Sequence, residues 1–420
     1  MKYNLNTLKN GLRVVTVPMK DNPTVTVLVL VGTGSDYETK DLGGVSHFLE
    51  HMCFKGTVKR PNVSIISHEL DMLGCQYNAF TDHEMTGYYA KGDSKHFKKL
   101  LDVVGDVYLN SIFPEKEIEK EKGVIIEEIN MYEDMPARLV HDVFDELVYG
   151  DTPSGRNIAG THTTVKNMKR DDFVKYKNAQ YTAPNTVVVV TGNIDTKIVY
   201  KEIENTFGKL NNKNPNKKLK SFIQDKTKIK IKNKKTDQIH MMLGLKSYGR
   251  NNPKNKTLRI LSAILGAGMS SRLFNKLREE MGVCYYVSSG ITARHETGMF
   301  VINAGVTTGR LQEVIKVLIS ELKKLTIELV GDKELKKVQN SLIGNMKLGL
   351  ESSDDIAGFY GQQLILKNEI KTMKDKEKEI LSVKPKDIQK IAKEIIKSEN
   401  LRLAIVGPDG VKLDKTILKI

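Results

Sequence analysis

The 420-residue sequence contains only three cysteines, Cys53, Cys75 and Cys284. An odd number at such wide spacings excludes a disulfide framework and a cysteine-ligated zinc site, and it fits a reducing compartment. Long apolar runs are missing as well, since none approaches the ~20 residues that a membrane-crossing helix needs. The first strand-like run begins soon after Met1, with no signal-peptide or transit-peptide pattern ahead of it, so the expected location is cytoplasmic. With 11 prolines, 32 glycines, 40% apolar and 28% charged residues, the composition excludes the collagen-like and disordered classes. RNA-binding aromatic signatures, zinc fingers and leucine zippers are absent too. The formal charge of +15 is therefore read as lysines interspersed with glutamates on helix faces. Neither a nucleic-acid partner nor a membrane partner is expected.

What is present points to two domains. The length exceeds the usual size of one core. Residues 12–17 and the β-branched run 24–31 read as strands, 41–54 and 64–73 as helices with Gly74 closing the second, 76–90 as a strand pair, and 95–109 and 114–131 as further helices. A repeat is also visible. The helix at Asp172 leads to a strand from Asn185 and to Gly192, and at an offset of 215 residues Asp387, Asn400 and Gly407 recur in the same order. Repetition at that length signals a duplicated domain and not a solenoid. The expected division is 1–212, a Lys/Asn-rich linker at 213–234, and 235–420. Each half is expected to be an α+β unit, a mainly antiparallel sheet packed with helices.

The segment His47-Phe48-Leu49-Glu50-His51 falls in a helical stretch, which puts the two imidazoles one turn apart on one face. At that spacing both can reach one metal ion, with Glu50 on the same face able to approach a metal-bound water. Catalytic zinc needs a third protein ligand and an open position. Glu121 and Glu128, seven apart on another predicted helix, share a face, so one could bind the metal while the other orients a ligand.

The order His-x-x-Glu-His is the inverzincin signature. Together with Gly43-Gly44, the run from His47 to Thr57, the stretch Asn78-Ala79-Phe80-Thr81 and the helix from Glu121 to Glu128, it resembles the pitrilysin-type zinc metallopeptidases. The segment from His47 to Thr57 is most similar to the mitochondrial processing peptidase beta subunit and its bacterial relatives. The resemblance implies a pitrilysin-type fold of two homologous domains, one zinc ion per chain held by His47, His51 and Glu128, Glu50 as general base, and Glu121 as a supporting catalytic carboxylate. It further implies peptide substrates lying along the strand of Asn78 and Ala79, and Arg278 and Tyr285 as substrate contacts. Pairing with an identical or related subunit as a homodimer or heterodimer is expected. Where the mitochondrial enzymes carry two acids after the third ligand, this chain reads Met135-Pro136-Ala137-Arg138 and keeps only Asp142, so a preference for arginine-bearing presequences is not expected. The expected function is a zinc-dependent endopeptidase acting on unfolded or short peptides. The alternative is a non-catalytic structural or partner subunit of the same fold.

Overall fold

A computed structural model describes residues 2–224 and 228–420. The chain divides into two compact units, the first made of Met1–Ile129, Arg156–Lys220 and Lys347–Thr372, the second of Asn130–Gly155, Ser221–Met346 and Met373–Ile420. The units therefore do not follow the continuous 1–212 and 235–420 halves expected from sequence. Each takes one helical segment from the opposite half.

The first unit contains β1 (Asn4–Thr7), β2 (Arg13–Pro18), β3 (Thr24–Val31), β4 (Gln76–Thr81), β5 (Thr86–Asp93) and β6 (Thr186–Gly192). They form one sheet in the order β1-β2-β6-β3-β5-β4, antiparallel except for the parallel β2–β6 pair. Val25, Val27, Val29 and Val31 point to one face, as period-two alternation dictates, and pack with helices Val45–Cys53 and Phe97–Leu109 in the main core. Leu28, Leu30, Val187 and Val189 are equally buried on the opposite face. That face is covered by helix Ser353–Lys367, which explains why β3 reads as a continuous apolar run. Gly361 sets the close approach, because a Cβ there would lie 2.7 Å from Leu30 Cδ1 and 3.0 Å from Val189 Cγ2. The helix is also pinned by Ser353 Oγ, 2.8 Å from Thr26 Oγ1, and by an Asp354–Lys91 ion pair at 2.6 Å.

The second unit contains β7 (Ile229–Asn233), β8 (Gln238–Tyr248), β9 (Cys284–Ala293), β10 (Thr297–Thr307) and β11 (Leu401–Gly407), in the order β7-β11-β8-β10-β9. This repeats the order β2-β6-β3-β5-β4, with one parallel pair, β7–β11, in the same place. One face packs on helices such as Asn255–Gly266, Leu311–Ile327 and Pro385–Ile395. The other is covered by helix Pro136–Tyr149, whose Phe144 occupies the space that a side chain at position 244 would fill. The expected linker has no regular structure over 211–224. Its end, expected as linker, is strand β7, paired in parallel with β11, and residues 225–227 lie outside the described residues. Among the described residues, no helix is long and apolar enough to cross a membrane.

Candidate metal centre

The predicted helix at 41–54 starts later than its sequence pattern suggests. Gly44 adopts φ 94°, a left-handed conformation that ends the preceding turn, and the helix proper is Val45–Cys53. A buried carboxylate satisfies the exposed end of this helix. Glu38 Oε2 accepts the Gly44 N–H and Oε1 the Ser46 N–H, each at 2.7 Å. Burial pushes Glu38 up to about 7, opposed by those two N–H groups, the Ser46 side chain and Arg156. Tyr176 then ties Ser46 Oγ, at 2.7 Å, to Thr33 Oγ1, at 2.8 Å.

Phe48, Leu49 and Met52 anchor the helix in the core and leave His47, Glu50 and His51 on the remaining face. Opposite runs helix Glu115–Glu133, which supplies Glu121 and Glu128. Glu128 Oε2 lies 3.6 Å from His47 Nε2 and 3.6 Å from His51 Nε2, and each of the three residues offers a ligand atom within 4.8 Å of the other two. Such separations are too long for hydrogen bonds. They fit ligands sharing one ion, because bonds of about 2.0–2.1 Å at tetrahedral angles place ligand atoms roughly 3.3 Å apart. Two imidazoles and a carboxylate are a donor set suited to zinc.

The surroundings prepare this set. Burial, reinforced by His51, pushes His47 down to about 3, so its ring is neutral and its lone pair is available. Burial also pulls His51 downward, but the Glu121 hydrogen bond and the charges of Glu50, Glu121 and Glu128 outweigh it and raise it above the ordinary value. Glu121 joins His51 Nδ1 at 2.9 Å to Lys55 Nζ at 2.6 Å. Although burial raises Glu121, those two partners hold it below the usual carboxylate range. His47 Nδ1 is buried and makes no hydrogen bond among the described residues. Glu50 is raised, chiefly by burial, while the Thr81 hydroxyl donates to its Oε2 at 2.6 Å and pulls it back.

Thr81 ends β4, the edge strand of its sheet. The Asp82 N–H bonds the Met85 carbonyl at 2.8 Å and closes the β4–β5 hairpin. With that register, Asn78 and Phe80 direct their backbone groups to β5, and Tyr77, Ala79 and Thr81 direct theirs outward. The outward Ala79 N–H is covered by Asn78 Oδ1 at 2.8 Å, a local cap on the open edge.

The remaining two predicted residues lie in the second unit. Arg278 sits in the π-helical turn Phe274–Glu280, with its guanidinium 5.2 Å from the Phe274 ring centre. It donates to the backbone carbonyl of Tyr285, whose side chain on β9 is 61% exposed. Thus His47, Glu50, His51, Glu121 and Glu128 come together, Asn78 and Ala79 share the strand that ends at Thr81, and Arg278 and Tyr285 contact each other. Sequence reasoning missed Lys55 and Thr81 as partners of Glu121 and Glu50, although both lie in the motif stretches. It had no signal for Glu38, an isolated acid in a loop.

Comparison with known proteins accords with this arrangement. Residues 13–162 match the family described as "Insulinase (Peptidase family M16)", and residues 167–342 match "Peptidase M16 inactive domain". The chain is 35% identical to the uncharacterized zinc protease YmxG of Bacillus subtilis, over 96% of this chain and 98% of that one. It is 31% identical to an uncharacterized zinc protease of Streptomyces coelicolor, over 96% and 89%. Among solved structures, a protease from Helicobacter pylori superimposes with a TM-score of 0.89 at 25% identity, covering 97% of this chain and 99% of that one. A peptidase M16 inactive domain from Pseudomonas fluorescens shares the fold, with a TM-score of 0.90 at 18% identity and coverage of 99% and 100%. The chain belongs to peptidase family M16, the pitrilysin-type family, and comprises two M16-type domains, each a mixed sheet packed with helices.

Proposed function

We propose that the protein is a zinc-dependent endopeptidase that hydrolyses unfolded or short peptides. One observation carries this reading. Glu50 stands on the face of the two histidines, beside the three-ligand set but outside it, with one carboxylate oxygen fixed by Thr81. A scaffold subunit has no use for that fourth residue.

In this reading His47, His51 and Glu128 hold the ion, and Glu121 fixes His51 in the tautomer that presents Nε2. Zinc, when bound, supplies a Lewis acid that polarises the scissile carbonyl and makes a water acidic near neutral pH. Glu50 accepts the proton of the attacking water on Oε1, since Oε2 is occupied by Thr81, and passes it to the leaving amine. The outward backbone groups of β4 receive an extended peptide as an added strand, the Asn78 side chain giving up the Ala79 N–H to it, which selects unfolded chain over folded protein. Arg278 and Tyr285 are assigned to substrate contact, and two chains pair as a dimer.

The test is cleavage of quenched fluorogenic peptides by wild type and Glu50→Gln, with zinc content measured on both. Chelator-sensitive cleavage by wild type, together with a zinc-loaded but inactive Glu50→Gln, is the expected result. Stoichiometric zinc without cleavage by either protein favours the partner-subunit role instead.

A further inference from the structure

A cavity of about 370 Å³ lies on the face of the first sheet opposite the metal helix, lined by Leu28, Phe80 and Tyr89 from the strands and by Asp355, Gly358 and Phe359 from helix Ser353–Lys367. The pairing registers explain its floor. Leu28 pairs with Tyr89 and Tyr89 with Asn78, while Leu30 pairs with Gly87 and Gly87 with Phe80, so all these side chains share one face. Gly87 lets the Phe80 ring fold inward, because a Cβ there would lie 2.4 Å from Phe80 Cζ. Along the helix, Asp354 and Asp355, Gly358 and Phe359, and Gln362 recur at turn spacing and form the facing wall.

The cavity thus begins beneath the edge strand that the proposed function assigns to peptide binding. A peptide strand paired with β4 has alternate side chains on this face, at the positions opposite Asn78 and Phe80. That strand lies about 5 Å outside β4 and about 10 Å from β5, so only a long side chain reaches over Phe80 toward Tyr89. Chemistry narrows the choice further. The floor is aromatic, and the helix side carries carboxylates. Asp354 is paired with Lys91, whereas Asp355 is solvent-exposed and among the described residues is held by Ser352 Oγ at 2.5 Å. An apolar stem on aromatic rings ending beside a carboxylate is the arrangement that suits a lysine or arginine.

We propose that this cavity is a side-chain subsite of the peptide strand bound along β4 and that it takes a lysine or arginine of the substrate. The proposal rests on the reading of β4 as the peptide-binding edge.

Gly358 provides a plug, since a Cβ at that position meets nothing within 4 Å and a side chain can grow into the cavity from a helix that tolerates it. The experiment measures binding of fluorescein-labelled 12-residue peptides to zinc-reconstituted Glu50→Gln by anisotropy. A single lysine is moved stepwise along a neutral sequence and compared at each step with norleucine. Lysine at positions of one parity is expected to bind roughly tenfold tighter than norleucine. Gly358→Phe, with folding verified by thermal melting, should bring that ratio close to one, and Asp355→Asn should lower it several-fold. No lysine advantage, an advantage without alternation, or an advantage that survives Gly358→Phe overturns the subsite. Cleavage of the same peptides by wild type is read separately. Alternating lysine-dependent binding without cleavage supports the subsite and removes the peptidase reading, whereas cleavage without lysine dependence does the reverse.

Discussion

His51 Nδ1 lies 2.9 Å from Glu121 Oε1, so the ring that offers Nε2 toward Glu128 is held from behind by a carboxylate two helical turns away on the same helix. A carboxylate in that position fixes both the tautomer and the orientation of a ligand histidine, and its loss typically costs 10–100-fold in metal affinity. Glu121→Ala should therefore weaken zinc binding roughly 10–100-fold, and Glu121→Gln, which still offers an oxygen, should weaken it less. Competition with a chromophoric chelator measures both. Equal affinity in all three proteins would show that Glu121 serves Lys55 alone.

Thr81 bears on the base, not on the metal. Glu50 acts only when ionised, and burial already holds its carboxyl above the usual range while the Thr81 hydroxyl pulls it back. Removing that donor in Thr81→Val leaves the carboxylate less stabilised, so the acid limb of kcat/KM should move to higher pH. At neutral pH the variant should be several-fold slower and should recover toward wild type at alkaline pH, with zinc content unchanged. A pH–rate profile of both proteins decides the matter, and an acid limb in the same place would separate Thr81 from Glu50.

The Glu38 cap makes a stability prediction with a definite sign. Its carboxyl is raised from 4.5 to about 7 in the folded protein. Between those values the folded state binds the proton more tightly than the unfolded state. The stabilisation is therefore fully present below pH 4.5 and is lost as the pH rises through 7. A shift of that size corresponds to about 3 kcal/mol. The cost of Glu38→Gln, measured by urea unfolding of metal-free protein, should be larger at pH 5 than at pH 8. The same cost at both values would mean that Glu38 is ionised throughout.

Much of this was legible from local pattern. β3 has the bounds of its β-branched run, and β6 and β11 begin 215 residues apart, at Thr186 and Leu401, as the internal repeat implies. Spacing alone put His47 with His51 and Glu121 with Glu128, because a helix brings residues four and seven apart onto one side. Other features depend on contacts that no local pattern encodes. Gly44 shortens its helix because its backbone presses on the distant loop at Ala159 and Gly160, where a Cβ would lie 2.5 Å from the Ala159 carbonyl oxygen. Glu38 reaches Gly44 and Ser46 from a loop, where acids have no periodicity to mark them. The helix at 136–149 is amphipathic and announces that it covers something, whereas the helix at 353–367 has almost no one-sided apolar pattern, and which sheet each covers is a matter of chain topology.

That topology makes the last prediction. In the first unit, Leu28, Leu30, Val187 and Val189 are buried under helix Ser353–Lys367, which is supplied from more than a hundred residues beyond the rest of the unit. Burying one such side chain is worth about 1.5–3 kcal/mol, so four together approach the ~5–15 kcal/mol that holds a typical domain. A fragment of residues 1–220 should therefore fail to fold despite carrying His47, Glu50, His51 and Glu128, and should aggregate through the bared sheet face. Replacing 130–155 by a flexible linker and joining 347–372 to residue 220 through another restores the unit's own covering. That chimera should melt cooperatively and bind zinc, as followed by circular dichroism and metal analysis. If residues 1–220 fold and bind zinc unaided, the Ser353–Lys367 helix is dispensable to the sheet, and the boundary at 212 read from sequence is the one that governs folding.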